Sequence, residues 1–195
     1  YTPDFEGDVA SALQGDIDIK GKKIGMPKEF FDFEGLSPEV REKVDKAAEV
    51  LQKKGAHLTE VSFPYTDFAV AAYYIIAPAE ASSNLARFDG IRYGQRDESE
   101  QAENLLQTYR LSREKNFGEE VKRRIILGTY VLSSGYYDAY YLRAQKARTK
   151  LRNEFARVFE QCDALLTPTT PSPAFQMAQV TEPLEMNRSD IFTIS

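Results

Sequence analysis

The 195-residue sequence has a single cysteine, a single histidine and no apolar run long enough to cross a membrane. Cys162 alone cannot form an internal disulfide, which points to a reducing compartment. It has no histidine at a suggestive position and reads as a small buried hydrophobe, not a nucleophile. His57 lacks a second histidine or a cysteine at ligand spacing, so no metal site is expected and it reads as an ordinary surface or junction residue. The longest apolar stretch, residues 68–79, falls short of the roughly 20 residues a spanning helix needs and contains Pro78. No leader pattern opens the sequence, and the expectation is a soluble, cytoplasmic protein without a membrane partner. P-loop and G-x-G-x-x-G patterns are missing. Ser133-Ser134-Gly135 lacks the G-x-S-x-G frame of a nucleophile elbow and reads as the close of a helix. Nor is there a block of like charge. With 25 Lys+Arg against 30 Asp+Glu the net charge is −5, so any RNA would have to be gripped by another chain.

What is present suits a folded α/β protein. Hydrophobic residues make up 42% and charged residues 28%, an ordinary globular balance that argues against disorder. The length fits one domain or a large piece of a bigger one. The sequence opens at Tyr1, and Ile191 to Ser195 read as an apolar element that stops short, so a fragment of a longer protein is expected.

Lys23 to Met26 is a strand candidate closed by Pro27. Ser37-Pro38-Glu39 is a helix start, with an N-cap serine, proline at the first position and an acid in the first turn. Val40, Val44, Ala47, Ala48 and Leu51 share one helical face, and Gly55 stops the helix. Leu58, Val61 and Phe63 mark a second strand ended by Pro64, which completes a parallel βαβ unit. Long helical patterns follow. Residues 68–88 are apolar and alanine-rich, with Pro78 expected to kink or divide them. Residues 97–114 suggest an exposed helix, and further helices are expected over 119–134 and 137–161. Residues 163–167 form a third strand candidate before Pro168, Pro171 and Pro173. The division expected is a βαβ portion over 1–65, a helical portion over 66–162, and a truncated strand and loop over 163–195.

Two stretches go beyond scaffold. Tyr73-Tyr74 precedes Pro78 in a helix rich in small residues; the tyrosines either wall a pocket or simply pack. Lys122-Arg123-Arg124 lie about 100° apart on a helix, so all three cannot share one exposed face. Arg123 or Arg124 turns partly inward and needs a carboxylate partner, or the run is a solvated patch beside Glu119 and Glu120.

Residues 74–90 (YIIAPAEASSNLARFDG), 117–130 (FGEEVKRRIILGTY), 132–141 (LSSGYYDAYY) and 166–171 (LTPTTP) resemble the A subunits of bacterial aspartyl/glutamyl-tRNA amidotransferases, a branch of the amidase-signature family. The resemblance covers nearly the whole chain. It implies part of an α/β/α sandwich around a large mixed sheet: a βαβ unit, a long helical section and a further strand. In that family a Ser–cis-Ser–Lys triad hydrolyses glutamine through an acyl-enzyme. The signature carrying those serines precedes the region matched here, so no catalytic residue falls in this sequence and the chain alone is expected to be inactive.

The resemblance assigns substrate-binding roles to three residues. Arg123 matches the position that holds the glutamine α-carboxylate, Asp190 the aspartate that takes the α-amino group, and Tyr74 a tyrosine adding a hydroxyl contact. Asn187 and Arg188 depart from the family pattern before Asp190. The resemblance further implies partners in the B and C subunits of the amidotransferase, misacylated tRNA held through the B subunit, and ATP with magnesium used by that partner, with no cofactor in this chain. Competing readings are a general small-amide amidase, which has no use for Arg123 and Asp190, and a non-catalytic interaction module.

Overall fold

The computed structural model describes residues 18–97, 102–177, 179 and 189–194. They divide into two compact units, one drawn from Tyr1–Ser62 with Ala156–Phe192, the other from Phe63–Phe155 with Thr193–Ser195.

The first unit holds a three-stranded parallel sheet of order β2-β1-β3, made of β1 (Lys23–Pro27), β2 (His57–Val61) and β3 (Ala164–Leu165). A short α1 (Lys28–Phe31) follows β1, and α2 (Pro38–Lys53) connects β1 to β2 as the expected βαβ crossover. Ser37 caps α2, its hydroxyl accepting from the Val40 N–H at 3.2 Å. At the other end Gly55 takes φ +92°. Its N–H reaches the Gln52 carbonyl (2.9 Å) and that of Ala56 the Leu51 carbonyl (3.1 Å), the paired bonds of a Schellman stop. On the predicted apolar face Ala48 is buried and Val40, Val44 and Leu51 half-buried, whereas Ala47 is exposed.

β1 lies in the middle, and Gly25 makes room for its neighbours. A Cβ there would stand 2.8 Å from Leu165 Cδ2 and 3.0 Å from Cys162 Sγ. β3 is shorter than the five residues expected, with paired positions only at Ala164 and Leu165. Asp163 closes its start: one carboxylate oxygen accepts from the Lys23 N–H at 2.8 Å, while the Asp163 N–H donates to the Lys23 carbonyl at 2.8 Å. The bond from the Lys23 N–H is the main cause holding the Asp163 carboxyl below its ordinary range. After β3 the Pro171 carbonyl accepts from the Ser37 N–H at 2.8 Å. Phe192 is buried against Phe30 (ring centroids 5.4 Å) and edge-on to Phe33 (5.5 Å). Cys162 is buried and His57 exposed.

The second unit is helical: α3 (Ala69–Asn84), α4 (Leu105–Asn116), α5 (Glu119–Val131), a π-helical turn over Tyr137–Tyr141, and most of α6 (Leu142–Phe159), within which the boundary between the units falls. Phe63 belongs here and not to the second strand; it is almost fully buried, 4.6 Å from the Phe155 ring. Pro78 does not divide α3. It removes one N–H from the ladder, and the helix continues to Asn84 because the proline is fully buried at a packed contact. The exposed helix expected over 97–114 lies later, since Asn104 caps it by accepting from the Gln107 N–H at 3.0 Å. Arg113 of α4 donates to the carbonyls of Leu85 (2.8 Å) and Phe88 (3.1 Å), which ties α4 to the end of α3. Gly118 is the N-cap of α5, and the single helix expected over 137–161 starts instead as the π turn.

Candidate functional site

The site is built where α3 and α5 cross. A Cβ on Gly128 would lie 1.9 Å from the Pro78 carbonyl oxygen and 2.8 Å from Ser82 Cβ, so only glycine permits this approach. Tyr73 meets Arg124 before the crossing, and Ser83 and Leu132 line one small pocket after it. These pairs step forward together, so α3 and α5 run in the same sense. The tyrosine pair and the arginine pair, far apart in sequence, therefore come to the same end of the helix pair.

On α5 the geometry centres on Glu120, in the first turn, where a carboxylate suits the helix dipole. One of its oxygens, Oε2, accepts from Arg123 Nε at 2.9 Å and also from Arg123 Nη2. The other, Oε1, accepts from Arg124 Nε at 2.8 Å. Tyr73, on α3, is the neighbour of Arg124 across the helix pair. The Glu120 carboxyl is held below its ordinary range, by the Arg124 bond foremost and by Arg123 against the raising effect of burial. The Arg124 guanidinium is raised above its ordinary value by Glu120 first and by Tyr73 next. Both readings of the basic run thus hold in part. The Arg124 side chain is 35% exposed beside Tyr73 of α3, while that of Arg123 is 54% exposed with its Nε and Nη2 edge on Glu120. Lys122 pairs separately with Glu119 at 2.9 Å.

Within the group of Glu120, Arg123 and Arg124, two guanidinium charges share one carboxylate. One positive charge is left over. That is the electrostatics of a place for one further anion.

Tyr74 is half-buried on α3, its ring edge-on to Tyr73 at 5.1 Å. Tyr74 and Arg123 therefore sit on the two crossing helices, next in sequence to Tyr73 and Arg124, which are neighbours at this end. Asp190 is exposed in a turn of the first unit, a different unit from that of Arg123 and Tyr74. A cleft of about 520 Å³ in the helical unit is walled by Ala72, Tyr73, Ile76, Leu151 and Phe155, with the Glu80–Arg148 pair (3.8 Å) beside it; Tyr73 lines it, and Tyr74, Arg123 and Asp190 do not.

Sequence reasoning missed two features. Gly128 is one, although a glycine inside a helix that also carries the arginine pair was a signal for close packing. The other is an exposed tyrosine cluster: Tyr130 stacks on Tyr136 at 4.2 Å, and Tyr140 lies 6.0 Å from Tyr136. The hydrogen bond with Tyr136 pushes the Tyr130 phenol up to about 12. Among the described residues no group of three potential metal ligands occurs, and no helix is long and apolar enough to cross a membrane.

The fold has counterparts in known proteins. The chain belongs to the Amidase family, whose sequence profile matches residues 4–195. Among curated relatives it is 58% identical over 184 residues to the A subunit of the glutamyl-tRNA(Gln) amidotransferase of Geotalea daltonii, covering 94% of this chain and 37% of that protein. It is 57% identical over 178 residues to the same subunit of Pelobacter propionicus, covering 91% of this chain and 36% of the relative. The crystal structure of the corresponding A subunit from Thermotoga maritima matches 91% of this chain and 33% of that one, with a TM-score of 0.63 at 37% identity. The chain thus spans little more than a third of the length of the relatives it matches, and its α/β architecture is part of the amidase-signature fold.

Proposed function

We propose that these residues form the glutamine-recognition part of an amidotransferase subunit that hydrolyses glutamine. The ammonia released would convert Glu-tRNA(Gln) to Gln-tRNA(Gln), or Asp-tRNA(Asn) to Asn-tRNA(Asn). The reading draws on the activity for which the relatives are named, and one observation carries it: the surplus positive charge at Arg123 and Arg124, at the same end of the helix pair as the two tyrosines.

A free amino acid presents a carboxylate and an ammonium, so selecting one takes a fixed cation and a fixed anion. In this reading the exposed guanidinium of Arg123 binds the α-carboxylate, Asp190 takes the α-ammonium, and the Tyr74 hydroxyl adds a directional contact. Serine and lysine chemistry on the side-chain amide belongs to sequence outside these 195 residues, so the chain alone is inactive. The B and C subunits are its partners, misacylated tRNA is held through the B subunit, and that partner uses ATP and magnesium. A cytoplasmic location goes with this role.

The test is steady-state glutaminase kinetics on the intact protein. A charge-assisted hydrogen bond contributes roughly 1.5–3 kcal/mol, so Arg123→Ala raises the KM for glutamine by about 10- to 150-fold. Asp190→Asn acts in the same direction, and hydrolysis of a small neutral amide is unaffected by either. Unchanged glutamine KM in Arg123→Ala would instead favour a general small-amide amidase. Absence of any glutamine binding would favour an interaction module.

A further inference from the structure

The Glu120 arrangement has a consequence for how a substrate carboxylate reaches Arg123. Arg123 places two N–H groups, Nε and Nη2, on a single oxygen of Glu120, and Arg124 holds the other oxygen. The first contact uses the edge of the guanidinium that a planar carboxylate seeks. The second is the more buried of the two, the Arg124 side chain being 35% exposed against 54% for Arg123.

We propose that Glu120 is a positioning residue that stands in for the substrate carboxylate on Arg123 and yields when the substrate arrives. This rests on the reading of Arg123 given above. Glu120 can yield without losing its last partner: Oε1 stays on Arg124, while the Nε and Nη2 groups of Arg123 pass from Oε2 to the incoming carboxylate. Until then Glu120 holds the exposed Arg123 side chain in one orientation and competes for it. The competition is mild, since both side chains are about half exposed and screened by solvent. The residue therefore trades affinity for orientation and for selectivity against weak anions. Glu119, next in sequence and of the same charge, pairs with Lys122 and takes no part.

The experiment compares Glu120→Gln, Glu119→Gln and Arg123→Ala in the intact protein, with L-glutamine and with L-glutaminamide, which lacks the α-carboxylate. Glu120→Gln is expected to lower the glutamine KM by roughly two- to five-fold, the factor that corresponds to the pair's strength. The gain sits in KM and not in kcat, is missing with glutaminamide, and is missing in Glu119→Gln. Glu120→Asp, which keeps the first-turn charge and withdraws the carboxylate, gives a smaller gain and serves if the glutamine variant folds poorly. An unchanged or raised KM in both Glu120 variants overturns the proposal, as does an equal gain from Glu119→Gln. If Arg123→Ala leaves the glutamine KM unchanged, the underlying reading has failed; if it raises KM while the Glu120 variants do nothing, only the stand-in role has.

Discussion

Gly128 of α5 stands against the Pro78 carbonyl of α3 so closely that one added carbon would lie 1.9 Å from the oxygen. The neighbouring atoms are mostly backbone, inside a helix, and cannot swing aside. The position of Arg123 and Arg124 relative to the tyrosines therefore depends on a residue that has no side chain.

Gly128→Ala should cost about 3 kcal/mol or more, because the clash separates two packed helices. Gly135 meets nothing within 4 Å and has no left-handed φ, so Gly135→Ala should stay within about 1 kcal/mol of the parent. Urea unfolding of both variants is the check; equal stabilities would show that α5 can shift at no cost.

Arg124 and Tyr73 should be energetically coupled. A double-mutant cycle on Arg124→Ala and Tyr73→Phe is expected to give about 0.5–1.5 kcal/mol of interaction energy, as for one polar contact between helices. Additive losses would mean that the two side chains do not interact in solution.

Glu120 should leave a signature in acid. Its carboxyl lies below the ordinary value of 4.5, so its contribution to stability is full above that value and is lost as pH falls through the lower, folded value. Melting temperatures taken from about pH 5 down to about pH 3 should fall less steeply in Glu120→Gln than in the parent. Parallel curves would contradict the pairing.

The Tyr130 phenol should titrate near 12 and return toward 10 in Tyr136→Phe, because its hydrogen bond with Tyr136, which holds the Tyr130 proton, is the leading cause of the shift. Carbon-13 labelled tyrosine, followed by NMR through the alkaline range, resolves it. An unshifted Tyr130 in the parent would refute the contact.

Local chemistry was what the sequence expressed well. Ser37-Pro38 and Gly55 set both ends of α2, and the parallel βαβ unit followed from them. Arg123 and Arg124 could be singled out because a helix cannot expose three consecutive residues on one face. Which arginine turned inward could not be read, since that depends on the face α5 packs against α3, set by Gly128 and Pro78 fifty positions apart. Pro78 was expected to break its helix on local grounds, and its burial at the crossing overrides them. Strand Ala164–Leu165 is short because its pairing depends on where β1 presents free backbone, a long-range property. The expected roles of Tyr74 and Asp190 came from family resemblance, which carries no information on how their side chains are held.

The bond between Asp163 and the Lys23 N–H spans 140 positions in sequence. On a ribosome adding about 5 to 20 residues per second, the partner of β1 leaves roughly 7 to 28 seconds after β1 itself. For that interval one side of the central strand waits without its final neighbour, a window in which a chaperone or a neighbouring nascent chain can reach it. The timing of synthesis thus bears on the yield of folded protein, and slower codons before Ala164 would lengthen the exposure.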